Sequence, residues 1–312
     1  MAGSKDLHGF CRYIVYKYGS PDTLTEEQKA DEFRKMYAME SPVNLKDIRA
    51  VALCCNIKVD ALDKLPRSLR GFHEVYDENR TIYYKQGDAV SGVENTILHE
   101  IREMMEPQFV YACPSYKPLD DSALHIAANR FASAVLLPRE SFTSKVYEMG
   151  LDVIELAGYY AKSCSQVLIR MGEVLNGSYF FYGALYERDP DRDVWSLNYC
   201  TLSPSLFPEP NFGELGAFFP TKGTEVAPGS LVDMAIQGRK SYLVRIFTLL
   251  DGMPKEGKKR EGLVALARPM LVFDVPTRVA LVAVLGRNRK LLEPQINRIM
   301  PDIVKGFHSD LY

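Results

Sequence analysis

The sequence has little of what would place it in a specialised class. Its six cysteines show no paired spacing: Cys54 and Cys55 are adjacent, and Cys11, Cys113, Cys164 and Cys200 are scattered with no C-x-x-C. That excludes a disulfide framework and a cysteine-based zinc module, and leaves reduced, buried thiols of a cytosolic protein as the expectation. Charge of one sign is missing too. The net charge of -2 and a pI near 6.3 argue against broad binding to nucleic acid or acidic membranes, although a small basic face can hide in such an average. The start, Met1 to Tyr18, mixes polar and aromatic residues and has no apolar core of a signal peptide. The longest apolar run, Val279–Leu285, is far too short to span a bilayer. The expected location is the cytoplasm. Histidine is also scarce, five in all, so each one carries weight.

What is present is an ordinary globular balance, 46% hydrophobic and 25% charged over 312 residues, enough for two or three domains with cores of their own. Residues 1–24 show no clear periodicity, and Ser20-Pro21-Asp22 reads as a turn. Thr25 and Gln28 form a capping-box pattern ahead of a helix with Ala30, Phe33 and Tyr37 on one face, broken at Ser41-Pro42. A second helix starts at about Asn44, and Asn56–Val59 reads as a short strand. Two β-rich runs, 71–76 and 81–84, flank a polar turn and predict a hairpin. A helix over Val93–Met105, ended by Pro107, follows it, and then a second over Ala123–Leu137, ended by Pro138. The alanines of the latter (127, 128, 132, 134) allow close approach to a neighbour.

Residues 142–175 have helix–turn–helix spacing, with Lys162–Ser165 capping the second helix and Asn176-Gly177 ending it. From Ser178 the texture is β. The expected elements are a hairpin of Tyr179–Tyr186 and Val194–Cys200 with Trp195, Leu197 and Tyr199 on one face, and a helix over Pro228–Gln237 closed by Gly238. A strand at Ser241–Phe247, a mobile charged loop at Asp251–Gly262 and a second hairpin of Leu263–Phe273 and Arg278–Leu285 follow. A last helix is expected to align Ile296, Ile299, Ile303 and Phe307, bent at Pro301. Together these predict a separate α+β domain of sensor-like build.

The chemistry centres on Thr96–Met105. On a helix, His99 and Glu103 lie one turn apart on one face, with Glu100 one step round. This is the layout of the zinc-protease motif H-E-x-x-H with a glutamate in place of the second histidine. A catalytic zinc needs three protein ligands and an open position for water, commonly two histidines and one glutamate. His99 and Glu103 supply one of each, so the missing ligand is a histidine, and His125 stands in the first turn of the next helix. Glu100 is then the general base, beside a metal that lowers the pKa of water and polarises the scissile carbonyl. For the oxyanion, a tyrosine or His73 are open candidates. Taken alone, a histidine at a helix start is more often a capping or packing residue than a ligand. Glu94, Glu106, Asp120 and Asp121 read as a solvated face or as helix caps.

The run Ala128-Asn129-Arg130-Phe131-Ala132-Ser133-Ala134-Val135-Leu136-Leu137-Pro138 resembles the A-N-x-F-A-x-x-L-L-x-P signature of the ImmA/IrrE family of metallopeptidases, with its L-L-P end one residue tighter. The resemblance implies a Gly-containing hairpin before the metal helix, matched here by Gly71 and the 71–84 hairpin. It also implies a third ligand, normally a glutamate, shortly before the A-N pair, where His125 stands. The departure is double, histidine to glutamate at Glu103 and glutamate to histidine at His125, and a paired exchange preserves the ligand set.

The resemblance extends by pattern to the radiation-response members of the family. The expected fold is α+β, with a zincin-like metallopeptidase domain over 1–141, a helix–turn–helix-like module over 142–177 and a GAF-like sensor domain over 178–312. The implied activity is site-specific endoproteolysis, with zinc or manganese, of a DNA-binding transcriptional repressor, which derepresses stress-response genes such as those answering DNA damage. The alternative is a catalytically inactive peptidase-fold regulator that binds protein or DNA. Lys162 and Arg170 are nearly the only cations in Lys162–Asn176, which predicts weak DNA binding at physiological salt. The last domain is expected to bind a small ligand, or to hold a partner or a homodimer.

Overall fold

The computed structural model describes residues 5–66, 69–76, 79–175, 178–189, 192–203, 220–246 and 263–304. Its chain divides into two compact units, Met1–Phe142 and Thr143–Tyr312.

In the first unit, α1 (Leu7–Tyr18) is N-capped by Asp6, α2 (Glu26–Tyr37) opens with the Thr25–Gln28 capping box, and α3 (Leu45–Cys54) opens with a second box between Asn44 and Asp47. Strand β1 (Ile57–Leu62) leads to the hairpin of β2 (Gly71–Tyr76) and β3 (Asn79–Lys85). The three form one sheet in the order β1-β3-β2, with β1 parallel and β2 antiparallel to the central strand. Helix α4 (Val90–Ala112) packs against α1, α3, β2 and β3, and α5 (Asp121–Leu136) packs against α4 and α2. Phe33 of α2 is the hub. Its ring meets Phe10 of α1 and Phe131 of α5 edge-on, each at 5.3 Å. The α5 alanines are buried against these neighbours, as their small size suggested.

Gly71 sets the distance between hairpin and helix. A Cβ there would come within 2.4 Å of Thr96 Cγ2 on α4 and 2.5 Å of the Tyr83 carbonyl. Only glycine lets β2 lie this close, and the closeness brings His73 to the face of α4 that carries Glu100.

Helix α4 corrects one expectation. It does not stop at Pro107 but continues for another turn to Ala112. Pro107 removes the hydrogen bond to the Glu103 carbonyl, at a cost of about 3 kcal/mol. Burying Phe109 on the turn beyond the proline offsets that loss.

In the second unit, α6 (Arg139–Met149) enters from the first, and α7 (Val153–Tyr160) and α8 (Cys164–Leu175) are joined by a tight turn with Ala161 in the left-handed conformation. Ser163 and Gln166 cap α8 reciprocally. The expected end of that helix at Asn176-Gly177 lies outside the described residues. A six-stranded sheet follows, of β4 (Phe181–Asp189), β5 (Val194–Ser203), β6 (Tyr242–Ile246), β7 (Leu263–Val272), β8 (Val275–Leu285) and β9 (Asp302–Val304), in the order β5-β4-β8-β7-β6-β9. Helix α9 (Leu231–Gly238) packs on β6, β7 and β8, and its Leu231, Val232 and Ala235 share one core cluster with Tyr182, Ala184 and Tyr186. Gly183, pointing the other way, faces Leu168 of α8.

Three details of this unit differ from the sequence pattern. A register shift in the β4–β5 pair, where Leu185 pairs with Tyr199 and Tyr186 with Leu197, inserts Asn198 as an extra residue. Trp195 and Leu197 therefore share the core face with Cys200 and Leu202, while Tyr199 turns to the opposite face. Arg239, not Gly238, takes the left-handed position after α9. The last helix, α10 (Glu293–Ile299), ends at Met300, and the chain then extends as β9, parallel to β6. Pro301 cannot continue a helix, and the edge of β6 offers partners to an extended chain instead. Ile303 thus lies on an edge strand and is exposed, while Phe307 and the 251–262 loop lie outside the described residues.

Candidate metal centre

Helix α4 carries His99, Glu100 and Glu103, and α5 carries His125 and Asn129 at helical i,i+4 spacing. Packing of the two helices brings these side chains together. His99 Nε2 lies 3.0 Å from Glu103 Oε1, and His125 Nδ1 lies 3.9 Å from the same oxygen. The imidazoles of His99 and His125 meet edge to face with centroids 4.7 Å apart. One ligand atom from each of His99, Glu103 and His125 falls within 4.8 Å of the others. Ligand atoms placed around one tetrahedral zinc stand about 3.4 Å apart. The 3.0 and 3.9 Å separations bracket that value. The donor set, two imidazoles and one carboxylate, is one that catalytic zinc sites use, so the residues present fit the ion.

The remaining atoms of the cluster are also engaged. His99 Nδ1 is 3.1 Å from Asn129 Oδ1. An amide oxygen accepts only, so Nδ1 carries the proton and Nε2 is the atom turned to Glu103. On the other flank, His73 Nδ1 of β2 lies 2.6 Å from Glu100 Oε2 and 3.9 Å from Glu103 Oε2. The site is graded: His99 and Glu100 are buried, Glu103 and His73 are partly open, and the His125 side chain is 65% exposed.

Burial of His99 works against its protonation. The hydrogen bond to Glu103 and the charges of Glu103 and Glu100 outweigh it and hold the imidazole above its ordinary pKa. The His99 hydrogen bond, against partial burial and helped by the His99, His73 and His125 imidazoles, holds the Glu103 carboxyl below its ordinary value. Both directions describe one charge-assisted pair, in which each group favours the charged form of the other.

The structure therefore brings His99, Glu100, Glu103 and His125 into one cluster, and adds His73 as the partner of Glu100. Asn129 had no role in the sequence beyond its place in the Ala128–Pro138 run. Its spacing of four from His125 on one helix is the signal that points to it. Two of the acidic residues expected on a solvated face are elsewhere. Glu94 and Glu106 are buried, and Glu106 accepts hydrogen bonds from Arg102 at 2.9 Å, and from Tyr116 Oη and the Leu119 amide at 2.8 Å each. Asp120 is the N-cap of α5, accepting from the Ala123 amide.

No protein-family model matches the chain, and no curated protein is similar to it. Among solved structures, a Mycobacterium tuberculosis transcriptional regulator is similar over 93% of this chain and 84% of that chain, with a TM-score of 0.53 and 13% sequence identity. A likeness at that identity carries the fold alone, a mixed α+β architecture. Among the described residues, no helix is long and apolar enough to cross a membrane.

Proposed function

We propose that the chain is a metal-dependent, site-specific endopeptidase of the ImmA/IrrE kind, and that its substrate is a DNA-binding transcriptional repressor. The observation that carries this is the meeting of His99, Glu103 and His125 from two helices, with Glu100 beside them. The three would hold a zinc or manganese ion, which supplies a water of lowered pKa and polarises the scissile carbonyl. Glu100 would serve as general base toward the attacking water and then as general acid toward the leaving amine, while His73 Nδ1, 2.6 Å from Glu100 Oε2, holds that carboxylate in place. Strand β2 stands at the edge of its sheet. An extended peptide added there by β-augmentation would pass the cluster, since His73 lies on the same strand.

The second unit fits a substrate-docking or sensing role in this reading. The sheet with helices on both faces supports a GAF-like domain that takes a small ligand or a second copy of the chain. The α7–α8 pair supports a helix–turn–helix-like module, but not a strong DNA contact. The cations of α8 and its cap, Lys162 and Arg170, are 7% and 2% exposed, and Arg170 is paired with Glu173 at 2.9 Å. Neither can neutralise a phosphate.

Metal analysis of the protein purified under native conditions is the test, combined with a search for new protein N-termini in cells expressing the wild type or Glu100→Gln. One tightly held divalent ion is expected in both, and new termini only with the wild type. Absence of stoichiometric metal overturns the reading. The second reading, a catalytically inactive regulator that binds protein or DNA, draws on the wide exposure of His125 and on the likeness to a protein titled a transcriptional regulator. It expects full regulatory effect from Glu100→Gln.

A further inference from the structure

Glu103 is the one ligand whose two oxygens face different donors. Oε1 faces His99 at 3.0 Å and His125 at 3.9 Å, while Oε2 faces His73 at 3.9 Å. His73 in turn lies 2.6 Å from Glu100 Oε2. Ligand atoms of His73, Glu100 and Glu103 also fall within 4.8 Å of one another, a second set of cation donors beside the first. We propose that Glu103 bridges two divalent-cation sites: the His99–Glu103–His125 site, and a second, weaker one made by His73, Glu100 and Glu103. The proposal rests on the metal-centre reading above and extends it.

The chemistry of position 103 is the reason. A histidine there would present one nitrogen to one ion. A carboxylate can present one oxygen to each of two ions, and carboxylate-bridged pairs stand about 3.5–4 Å apart. The cluster holds three imidazoles and two carboxylates, so a single ion would leave His73 and Glu100 as a donor pair outside its coordination. Two ions so close repel each other, and they share one carboxylate, so the second binds at least about tenfold more weakly than the first. Its occupant takes the Glu100 lone pair that the proposed reaction needs for proton transfer. The second site is therefore inhibitory: rising divalent metal first builds the peptidase and then silences it.

The full-length chain, stripped by chelator, is dialysed against graded Co²⁺ or Zn²⁺, and bound metal is counted. Wild type is expected to bind one ion tightly and a second at least tenfold more weakly. His73→Gln, on a partly exposed edge-strand position, is expected to lose only the second. His125→Ala is expected to lose the tight class. Glu103→His rebuilds a three-imidazole first site, and is expected to hold one ion and never two. Wild type that saturates at one ion overturns the bridge and leaves the first metal centre standing. A second ion that survives both His73→Gln and Glu103→His also overturns it. Wild type that binds no ion overturns the metal-centre reading and this inference together.

Discussion

At Arg102, helix α4 carries a cluster whose charges are matched by the chain itself. The fully buried guanidinium donates to both oxygens of Glu26, at 2.7 and 2.9 Å, and to Glu106 at 2.9 Å, and Lys29 reaches Glu26 at 2.8 Å. On the other flank of the same helix, among the described residues, the ion-pair partners of Glu100 and Glu103 are imidazoles alone. Both clusters place carboxylates on one helix beside a neighbouring element, but only the first contains fixed cations. The Arg102 cluster is closed and ties α4 to α2. The His99 cluster is half open and lacks a permanent positive charge, as a site for an exchangeable cation requires.

The comparison can be broken at either end. The largest effect is expected at Glu100→Gln, which should lower cleavage by about 10²–10⁴-fold, the usual contribution of a general base, while leaving the tightly bound metal in place. A variant that cleaves within tenfold of wild type would remove Glu100 from the chemistry. Next, Arg102→Met should destabilise the protein by about 3–5 kcal/mol in urea, because the buried Glu106 loses its charge partner and the partly buried Glu26 keeps only Lys29. Added metal should not rescue it. A loss under 1 kcal/mol would show that the closed cluster is not structural.

His125→Ala should do the opposite. Its side chain is exposed, so stability without metal should change by no more than about 0.5 kcal/mol. The stabilisation by metal, about 2.7 kcal/mol when free ion is a hundred times the dissociation constant, should disappear. Thermal melts with and without Zn²⁺ give both numbers. Asn129→Ala should weaken metal binding by about 10–100-fold, since it frees the His99 ring to turn and to change tautomer. Unchanged affinity would reduce Asn129 to a surface contact.

The smallest effect lies away from both clusters. Glu32 accepts from Tyr13 at 2.6 Å, Lys17 at 2.8 Å and Lys35 at 3.0 Å. Burial alone would raise its pKa; these three donors outweigh that and hold it down at about 2, from 4.5. A depressed carboxylate contributes stability above its unfolded value, and that contribution fades as pH falls from about 4.5 toward 2. Glu32→Gln should therefore cost about 1 kcal/mol at pH 7, and the cost should vanish only once pH falls below the folded value of about 2. A pH-independent difference would place its origin in packing.

Local signals were legible wherever the chemistry is local. The Thr25–Gln28 box, the Asn44 cap and the Asp120–Ser122 cap residues each mark a helix start that the structure shows, because a cap is decided within four residues. The i,i+4 pairing of His99 and Glu103 follows from helix geometry and holds at 3.0 Å. Pro107 misled because a local cost of one hydrogen bond was set against burial on the last turns of α4, which sequence spacing does not show. Tyr199 misled because one inserted residue, Asn198, reverses the alternation of a strand, and nothing in the alternation marks the insertion. Arg102 has a local sign of one partner, Glu106 four residues on, but none of the other: Glu26 lies 76 positions away.

By itself the sequence determined that α4 would hold His99, Glu100 and Glu103 in one helical layout, and it pointed to His125 as a third member of the proposed donor set. Tertiary structure alone decided that His125 reaches the same carboxylate oxygen, that Asn129 sets the His99 tautomer, and that His73 meets Glu100. The physical reason is one of range. Helical periodicity fixes neighbours three and four residues apart, whereas the meeting of α4 with α5 depends on the alanine face of α5 and that of α4 with β2 on the missing Cβ of Gly71. Those contacts convert a motif on one helix into a cluster drawn from three elements.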